Sequence, residues 1–244
     1  MERERAVDRL ETLVDRVASE RMPVPVREVW AFGDVALGLD PVDRLDVYLT
    51  KDVIMGGDAD AAAAFEAEYG VKGVGTTVDA AWAEANPDRV RTSDNGYAAP
   101  EKCLAAELVD SEGLRPSGSE GRRLSGNRDS PGDSRTQSGD DTEPIHLEVC
   151  NAGFEDNVRQ RLKGALARDA YEEVLDPRGV CLWVDGQRDE EAFERLREAS
   201  LAMPTLPAAL GMLGADEAAA NEAADVLKRR RAEQEGASVR GDMV

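Results

Sequence analysis

The sequence predicts an α/β or α+β fold, in which helices flank a β-sheet. Apolar residues recur with a helical period in several segments, most clearly in residues 2–20. Between such segments, residues 44–50 and 145–150 alternate apolar and polar side chains, as half-buried strands do. Strands that alternate with helices are typical of a sheet covered by helices.

In the N-terminal third of the chain, the sequence predicts a helix followed by two strands. The helix at 2–20 ends before Pro23 and Pro25, because proline cannot continue it. Residues 26–32 are predicted as a strand that ends before Gly33, and residues 44–50 as a second strand. The predicted buried stripe of the helix consists of Ala6, Leu10, Leu13, Val14 and Val17.

Three further helices are predicted before residue 110. The first covers residues 59–69. Thr76, with Asp79 three residues later, forms a capping pair that is predicted to open a helix through Ala85. Pro100 stands at a favoured first helical position, so another helix is predicted from there through Leu108.

Residues 110–143 differ in composition from the rest of the chain. Ser, Gly, Asp and Arg dominate, and Leu114 and Leu124 are the only large apolar side chains. Apolar burial there cannot offset the entropy lost on ordering. We therefore predict a disordered insertion that separates two parts of one domain, residues 1–109 and 144–214.

In the second part of the domain, the sequence predicts a strand, a helix and another strand. These are residues 145–150, a helix over 156–174 and the near-continuous apolar run 180–184, which is typical of a central strand covered on both faces. Helices follow at 189–202, before Gly214 and at 216–234. Residues 215–244 are predicted as a loosely attached, weakly apolar helix and a polar tail, through which a protein partner could dock.

The net charge of −20 indicates adaptation to a high-salt cell interior. The chain has 50 acidic and 30 basic residues, and only five of the basic residues are lysine. At about 1 M salt the Debye length is roughly 3 Å, so repulsion among surface carboxylates is largely screened. Such salt also strengthens apolar burial, which suits a core rich in alanine.

The same composition argues against several classes of protein. Non-specific nucleic-acid binding needs a basic face. The nearest candidate, the run at 228–231, is interpreted as a basic helix end that favours the macrodipole. No apolar run reaches membrane-spanning length, and the first residues lack a signal-peptide pattern. The three cysteines are an odd number without metal-type spacing, which suits a reducing compartment. A cytoplasmic location is therefore expected.

Residues 32–49 carry the most specific motif. Gly33 follows the first strand, Ala36 and Gly38 follow in the turn, and Asp46 lies between Leu45 and Val47 on the second strand. This pattern resembles the active-site signature of the nucleotidyltransferase superfamily, in its small, minimal branch. That signature is a strand ending in Gly-Ser, then Ala-x-Gly, then a strand carrying Asp-x-Asp. The resemblance covers roughly residues 10–52 and implies a mixed sheet with flanking helices.

The resemblance also implies a chemistry. Phosphoryl transfer depends mainly on positioning and on neutralising phosphate charge, which metal ions held by carboxylates provide. Asp46 would be the second metal-binding aspartate. Glu148, on the predicted strand 145–150, is the candidate third carboxylate. Gly33, Asp34, Gly38 and Arg44 would line the place of a bound nucleotide, and Mg²⁺ would be the cofactor.

The chain departs from this signature at two positions. Asp34 stands where the family has serine, and its uncompensated charge would repel a triphosphate. Arg44 stands where the family has its first aspartate. His146, the sole histidine, is interpreted as a half-buried or edge residue rather than a metal ligand.

Three functions are therefore open. The first is a degenerate nucleotidyltransferase-like domain that binds a nucleotide or a protein without catalysis. The second is an active metal-dependent transferase that uses Asp46 and Glu148. The third is an interaction protein of unrelated fold. The first two predict that Asp46 and Glu148 share a pocket, whereas the third does not require it.

Overall fold

A six-stranded mixed sheet forms the centre of the protein in the computed structural model. The structure describes residues 1–54, 57–109, 144–233 and 238–241. The strand order is β5-β4-β1-β2-β3-β6. β1 is antiparallel to β2 and β4, β2 is parallel to β3, β3 is parallel to β6, and β4 is antiparallel to β5. The strands are β1 Val26–Phe32, β2 Leu45–Lys51, β3 Ile145–Cys150, β4 Gly179–Val184, β5 Gln187–Arg188 and β6 Ser238–Gly241.

Helices cover both faces of this sheet. α1, α4 and α6 contribute apolar side chains to the core on one face, while α5 packs on the other. α7 and α8 pack beside α5. The helices are α1 Arg3–Ser19, α2 Ala59–Tyr69, α3 Ala80–Ala85, α4 Pro100–Leu108, α5 Phe154–Arg168, α6 Glu190–Glu198, α7 Leu206–Met212 and α8 Glu217–Glu233. The predicted α/β or α+β class is confirmed as a mixed α/β fold.

The side chains of β2 divide the core into two halves. Leu45, Val47 and Leu49 join the larger core under α1, whose predicted apolar stripe is buried there. Tyr48 points to the other face and packs with Phe154 of α5. Every residue of β2 is buried, so this strand, and not the later apolar run, is the central one.

The prediction of a central, doubly covered strand at 180–184 was wrong. β4 lies next to the two-residue edge strand β5, and Val184 is 41% exposed. Its apolar residues pack mainly through Leu182 and Trp183, which are buried. An apolar run by itself does not distinguish a central strand from a strand next to an edge.

Three predicted helix boundaries were also wrong. The helix predicted at 189–202 ends at Glu198, since Ala199 adopts a left-handed conformation. Asp79, rather than Thr76, caps α3, because its side chain accepts a hydrogen bond from the backbone N of Trp82 at 2.7 Å. The helix predicted at 156–174 ends at Arg168, since Asp169 adopts a left-handed conformation with φ of 50°.

The C-terminal segment is part of the fold rather than a loose attachment. Small residues of α8, among them Ala220, Ala223 and Ala224, are buried against α5 and α7. Residues 238–241, predicted as a polar tail, form β6 and pair with β3. This helix was predicted to dock a protein partner, and its alanine face is covered from within.

The insertion predicted at 110–143 lies outside the described residues. In the part of the chain that the structure describes, no helix is both long and apolar enough to cross a membrane.

Candidate functional site

The turn between β1 and β2 brings the motif residues against the centre of the sheet. Gly33 has φ of 69°, a conformation that favours glycine. A Cβ atom added there would overlap Asp46 Oδ2 and lie 3.0 Å from the guanidinium of Arg231. The glycine is therefore required both by its backbone conformation and by the close approach of these side chains.

Asp34 holds this turn together. Its side chain is buried, and Oδ2 accepts hydrogen bonds from the backbone N of Asp43 at 3.1 Å and of Arg44 at 3.4 Å. The same oxygen lies 2.9 Å from Arg231 Nη2. The expectation of an uncompensated charge at this position was wrong, because Arg231 of α8 neutralises it.

Asp46 is completely buried between two arginines. Its Oδ1 lies 2.6 Å from Arg44 Nη2, and its Oδ2 accepts a hydrogen bond from Arg231 Nη2 at 2.9 Å. Burial raises the pKa of the Asp46 carboxyl above its ordinary value, although the charges of Arg231 and Arg44 act in the opposite direction. The two guanidiniums therefore favour the ionised carboxylate against the effect of burial.

Glu148 lies one strand away, on the same face of the sheet. In the parallel pairing of β2 and β3, Asp46 is beside His146 and Tyr48 is beside Glu148. Glu148 is 1% exposed and forms an ion pair with Arg161 of α5. Burial by itself would raise the pKa of Glu148, but its hydrogen bond with His146 and the charge of Arg161 lower it below the ordinary value.

His146 links this site to the C-terminal strand. Its Nε2 lies 3.3 Å from Glu148 Oε2, and its Nδ1 lies 2.7 Å from Ser238 Oγ. Arg240, also on β6, places its Nε 3.8 Å from Glu148 Oε1 and pairs with Glu173. β6 therefore contributes polar groups to the site as well as a sheet edge.

These residues line a cavity of about 350 Å³ between the sheet, α5, α7 and α8. Small-molecule sites typically have volumes of about 300–1,000 Å³. The apolar residues of its lining are Phe32, Val174, Leu175, Leu206, Pro207 and Leu227. Seven cationic side chains also line it: Arg44, Arg161, Arg178, Lys228, Arg230, Arg231 and Arg240.

The family of unknown function DUF7095 matches residues 2–115 and 135–244 of this chain. The chain belongs to the DUF7095 family. The match to DUF7095 is interrupted at residues 116–134, within the segment predicted as an insertion. Comparisons with curated proteins and with solved structures give no match. Membership of DUF7095 does not test the resemblance to nucleotidyltransferases, which stays a prediction.

Most of the sequence-predicted site residues come together in this DUF7095 chain. Gly33, Arg44, Asp46 and Glu148 all line the cavity, so the two carboxylates share one pocket as the first two functions predict. Asp34 lies behind the lining and contacts it through Arg231. Gly38 does not line the cavity, since a Cβ atom there would meet Ala199 Cβ at 2.7 Å, beyond the end of α6.

Most of the cavity cations could not be predicted from the sequence. Arg161, Arg178 and Arg240 are separated from the motif by more than 100 residues, and no local pattern connects them to it. The run at 228–231 was noticed but interpreted only as a helix end. Three of its members, Lys228, Arg230 and Arg231, line the cavity.

The arrangement does not fit the Mg²⁺ that the resemblance implies. Carboxylates that hold Mg²⁺ must direct oxygen atoms at the ion. In this DUF7095 chain the oxygens of Asp46 are directed at Arg44 and Arg231, and those of Glu148 at Arg161 and His146. Within the described ranges, no group of three or more His, Cys, Asp or Glu side chains is placed to hold a metal ion.

Proposed function

We propose that this chain binds a small anionic ligand of nucleotide type in the cavity and does not transfer a nucleotide. The observation that carries the proposal is the set of seven cations around one cavity in a chain of net charge −20. Cations concentrated against this background attract anions into the pocket. Arginine guanidiniums in particular recognise phosphate through paired hydrogen bonds.

The apolar lining residues support the nucleotide class. Phe32, Leu206 and Leu227 are apolar groups against which a flat, weakly polar group can pack. A ligand with an anionic end and a planar end would use both the cationic and the apolar lining residues. Inorganic anions would use only the cationic ones.

The order of elements around the cavity agrees with the resemblance. β1, the turn at Gly33, β2 with Asp46, and the neighbouring β3 with Glu148 follow the arrangement that the nucleotidyltransferase signature implies. Arg44 and Asp34 replace the residues on which its catalysis would depend. We therefore propose a degenerate member of that superfamily, in which arginines of the chain itself form ion pairs with Asp46 and Glu148.

An active transferase is the second candidate, favoured by the single observation that Asp46 and Glu148 line the same pocket. Its test is incubation with labelled nucleoside triphosphates, Mg²⁺ or Mn²⁺, and cell extract in about 2 M KCl, where surface charge is screened. We expect no label on protein or RNA. Incorporation that disappears in Asp46→Asn would establish the transferase instead.

The binding proposal is tested by equilibrium dialysis of labelled nucleotides, supplied as mono-, di- and triphosphates, against the full-length chain in KCl. We expect saturable binding of at least one of them. The variant Arg230→Gln removes a cavity cation and should weaken this binding, and Arg195→Gln, on the exposed face of α6, is the control. Loss of one charge-assisted contact corresponds to about 1.5–3 kcal/mol of binding free energy. Absence of saturable binding to any nucleotide would contradict the proposal.

We further propose that the chain works in a high-salt cytoplasm. The support is the charge of −20 and the preference for arginine over lysine among its cations, both of which are properties of the sequence. A partner that docks on α8 would have to use its exposed, charged face, because its alanine face is packed inside.

A further inference from the structure

The charge balance of the cavity defines the ligand more narrowly. We infer that the pocket takes a phosphate monoester, of nucleoside monophosphate type, in preference to a triphosphate. The inference rests on the proposed function, since it concerns the same pocket. The inference comes from comparing each of the seven cavity cations with the acidic side chains that lie near it.

Acidic side chains neutralise five of the seven cavity cations. Asp46, Glu148 and Asp176 lie among them in the lining. From just outside, Asp34 pairs with Arg231, and Glu173 pairs with Arg240. Among the described residues around the cavity, this leaves a surplus of two positive charges. A phosphate monoester carries about −1.5 to −2 at neutral pH, so it balances this surplus.

The surplus lies on the last turns of α8. Arg230 donates to the backbone carbonyl of Glu172, which orients its guanidinium without cancelling its charge. Lys228 is 70% exposed, and among the described residues its acidic partner is the similarly exposed Asp225 at 3.9 Å, a contact of a kind that contributes little energy. By contrast, Arg178 is held through two parallel hydrogen bonds by Asp176. The phosphate is therefore assigned to Lys228 and Arg230.

A triphosphate fits this arrangement less well. It carries more negative charge than the surplus can balance, and proteins usually bind it together with Mg²⁺ held by one or two carboxylates. Asp46, Glu148 and Asp176 are the carboxylates of the lining, and all three are paired with arginine. Displacing those pairs would leave buried charges without partners, which is strongly unfavourable.

The test is isothermal titration calorimetry of the full-length chain with a nucleoside, its mono-, di- and triphosphate, and inorganic phosphate, at one KCl concentration. We expect the monophosphate of the tightest-binding nucleoside to bind at least roughly tenfold more tightly than its triphosphate, with the bare nucleoside weakest. Equal or tighter binding of the triphosphate would overturn this inference and leave the proposed function intact. If no anion binds, both fail.

A matched pair of variants tests the assigned residues. Lys228→Gln combined with Arg230→Gln removes the surplus charge, and Arg229→Gln changes the intervening exposed residue, which does not line the cavity. We expect the double variant to lose at least roughly tenfold in monophosphate affinity while the control stays within twofold, with both melting near the parent chain. Unchanged affinity in a folded double variant would show that the phosphate lies elsewhere.

Discussion

Arg231 holds together three parts of the site that are far apart in the sequence. Its Nη2 lies 2.9 Å from both Asp34 Oδ2 and Asp46 Oδ2, and it reaches them from the last turn of α8. Both carboxylates are buried, so they lack water as an alternative partner. The guanidinium thus supplies the positive charge that the resemblance assigns to a metal ion.

Replacing Arg231 by methionine should therefore be costly. The change leaves Asp34 and Asp46 with less compensation, and breaking a buried ion pair from one side typically costs about 3–5 kcal/mol. Chemical denaturation in KCl measures the free energy of unfolding. Arg229→Met, an exposed position two residues earlier, should change it by less than about 0.5 kcal/mol. Equal effects of the two substitutions would show that the ion pairs do not stabilise the fold.

Gly33 provides a second test at the residue scale. Gly33→Ala forces a side chain into a positive-φ position and against Asp46 and Arg231. Gly70→Ala is the matched control, since Gly70 has φ of 70° with nothing within 4 Å of the added atom. We expect Gly70→Ala to cost about 1–2 kcal/mol from the backbone alone. Gly33→Ala should cost at least about 1 kcal/mol more, because it also displaces packed neighbours. Equal costs would contradict the close approach at Gly33.

At the scale of elements, the sequence predicts best the helices and strands whose ends are determined by a local pattern of residues. The predicted ranges of β1, α2, α4 and β3 agree with the observed ones, because proline, glycine and periodicity mark their ends. The position of β4 in the sheet was mispredicted because it depends on which strand lies beside it. β6 was missed because Ser238–Gly241 is only four residues long with a single apolar side chain, Val239, and becomes a strand through pairing with β3.

The attachment of β6 can be tested through Val239. Its side chain packs against the main core and is partly buried. Val239→Asp puts a charge there, so we expect a loss of roughly 2 kcal/mol in the free energy of unfolding. Val53→Asp, at a residue that is 58% exposed, should stay within about 0.5 kcal/mol. A loss no larger than that of the control would show that β6 does not contribute to the fold.

The candidate site was predictable only in part, because it too depends on contacts between residues that are far apart in the sequence. The resemblance implied that Gly33, Asp46 and Glu148 lie at one site, because the signature that it rests on is a local pattern along residues 32–49. The pairing of Arg231 with Asp46 joins residues 185 positions apart, and no sequence spacing reveals it. The acidity of the chain also concealed a basic pocket, because net charge averages over the surface and describes no single site.

At the scale of the whole molecule, charge is distributed unevenly. The chain carries −20 overall, while seven cations surround one cavity. Arginine pairs between elements distant in the sequence, such as Arg197 of α6 with Glu11 of α1 and Arg188 of β5 with Asp15 of α1, lie on the outside. Such exposed pairs contribute little individually, so the excess of carboxylates decides how stability responds to salt.

We therefore predict that the folded state needs salt. At about 0.1 M salt the Debye length is about 10 Å, and carboxylates on neighbouring elements repel one another. The melting temperature, followed by circular dichroism, should rise steadily as KCl increases from about 0.1 M to about 3 M, where screening is nearly complete. A melting temperature that is equal or higher at the low end would contradict adaptation to salt.

The most direct test of the account is whether the pocket accepts a cation or rejects it. Titration of Mn²⁺ followed by electron paramagnetic resonance counts ions that leave solution, and about 2 M KCl suppresses diffuse binding to surface carboxylates. Asp46 and Glu148 are paired with arginines. We therefore predict that the parent chain and Asp46→Asn bind Mn²⁺ to the same extent at each concentration. A saturable Mn²⁺ site that is present in the parent chain and absent in Asp46→Asn would contradict an anion-binding pocket and support a metal-dependent transferase.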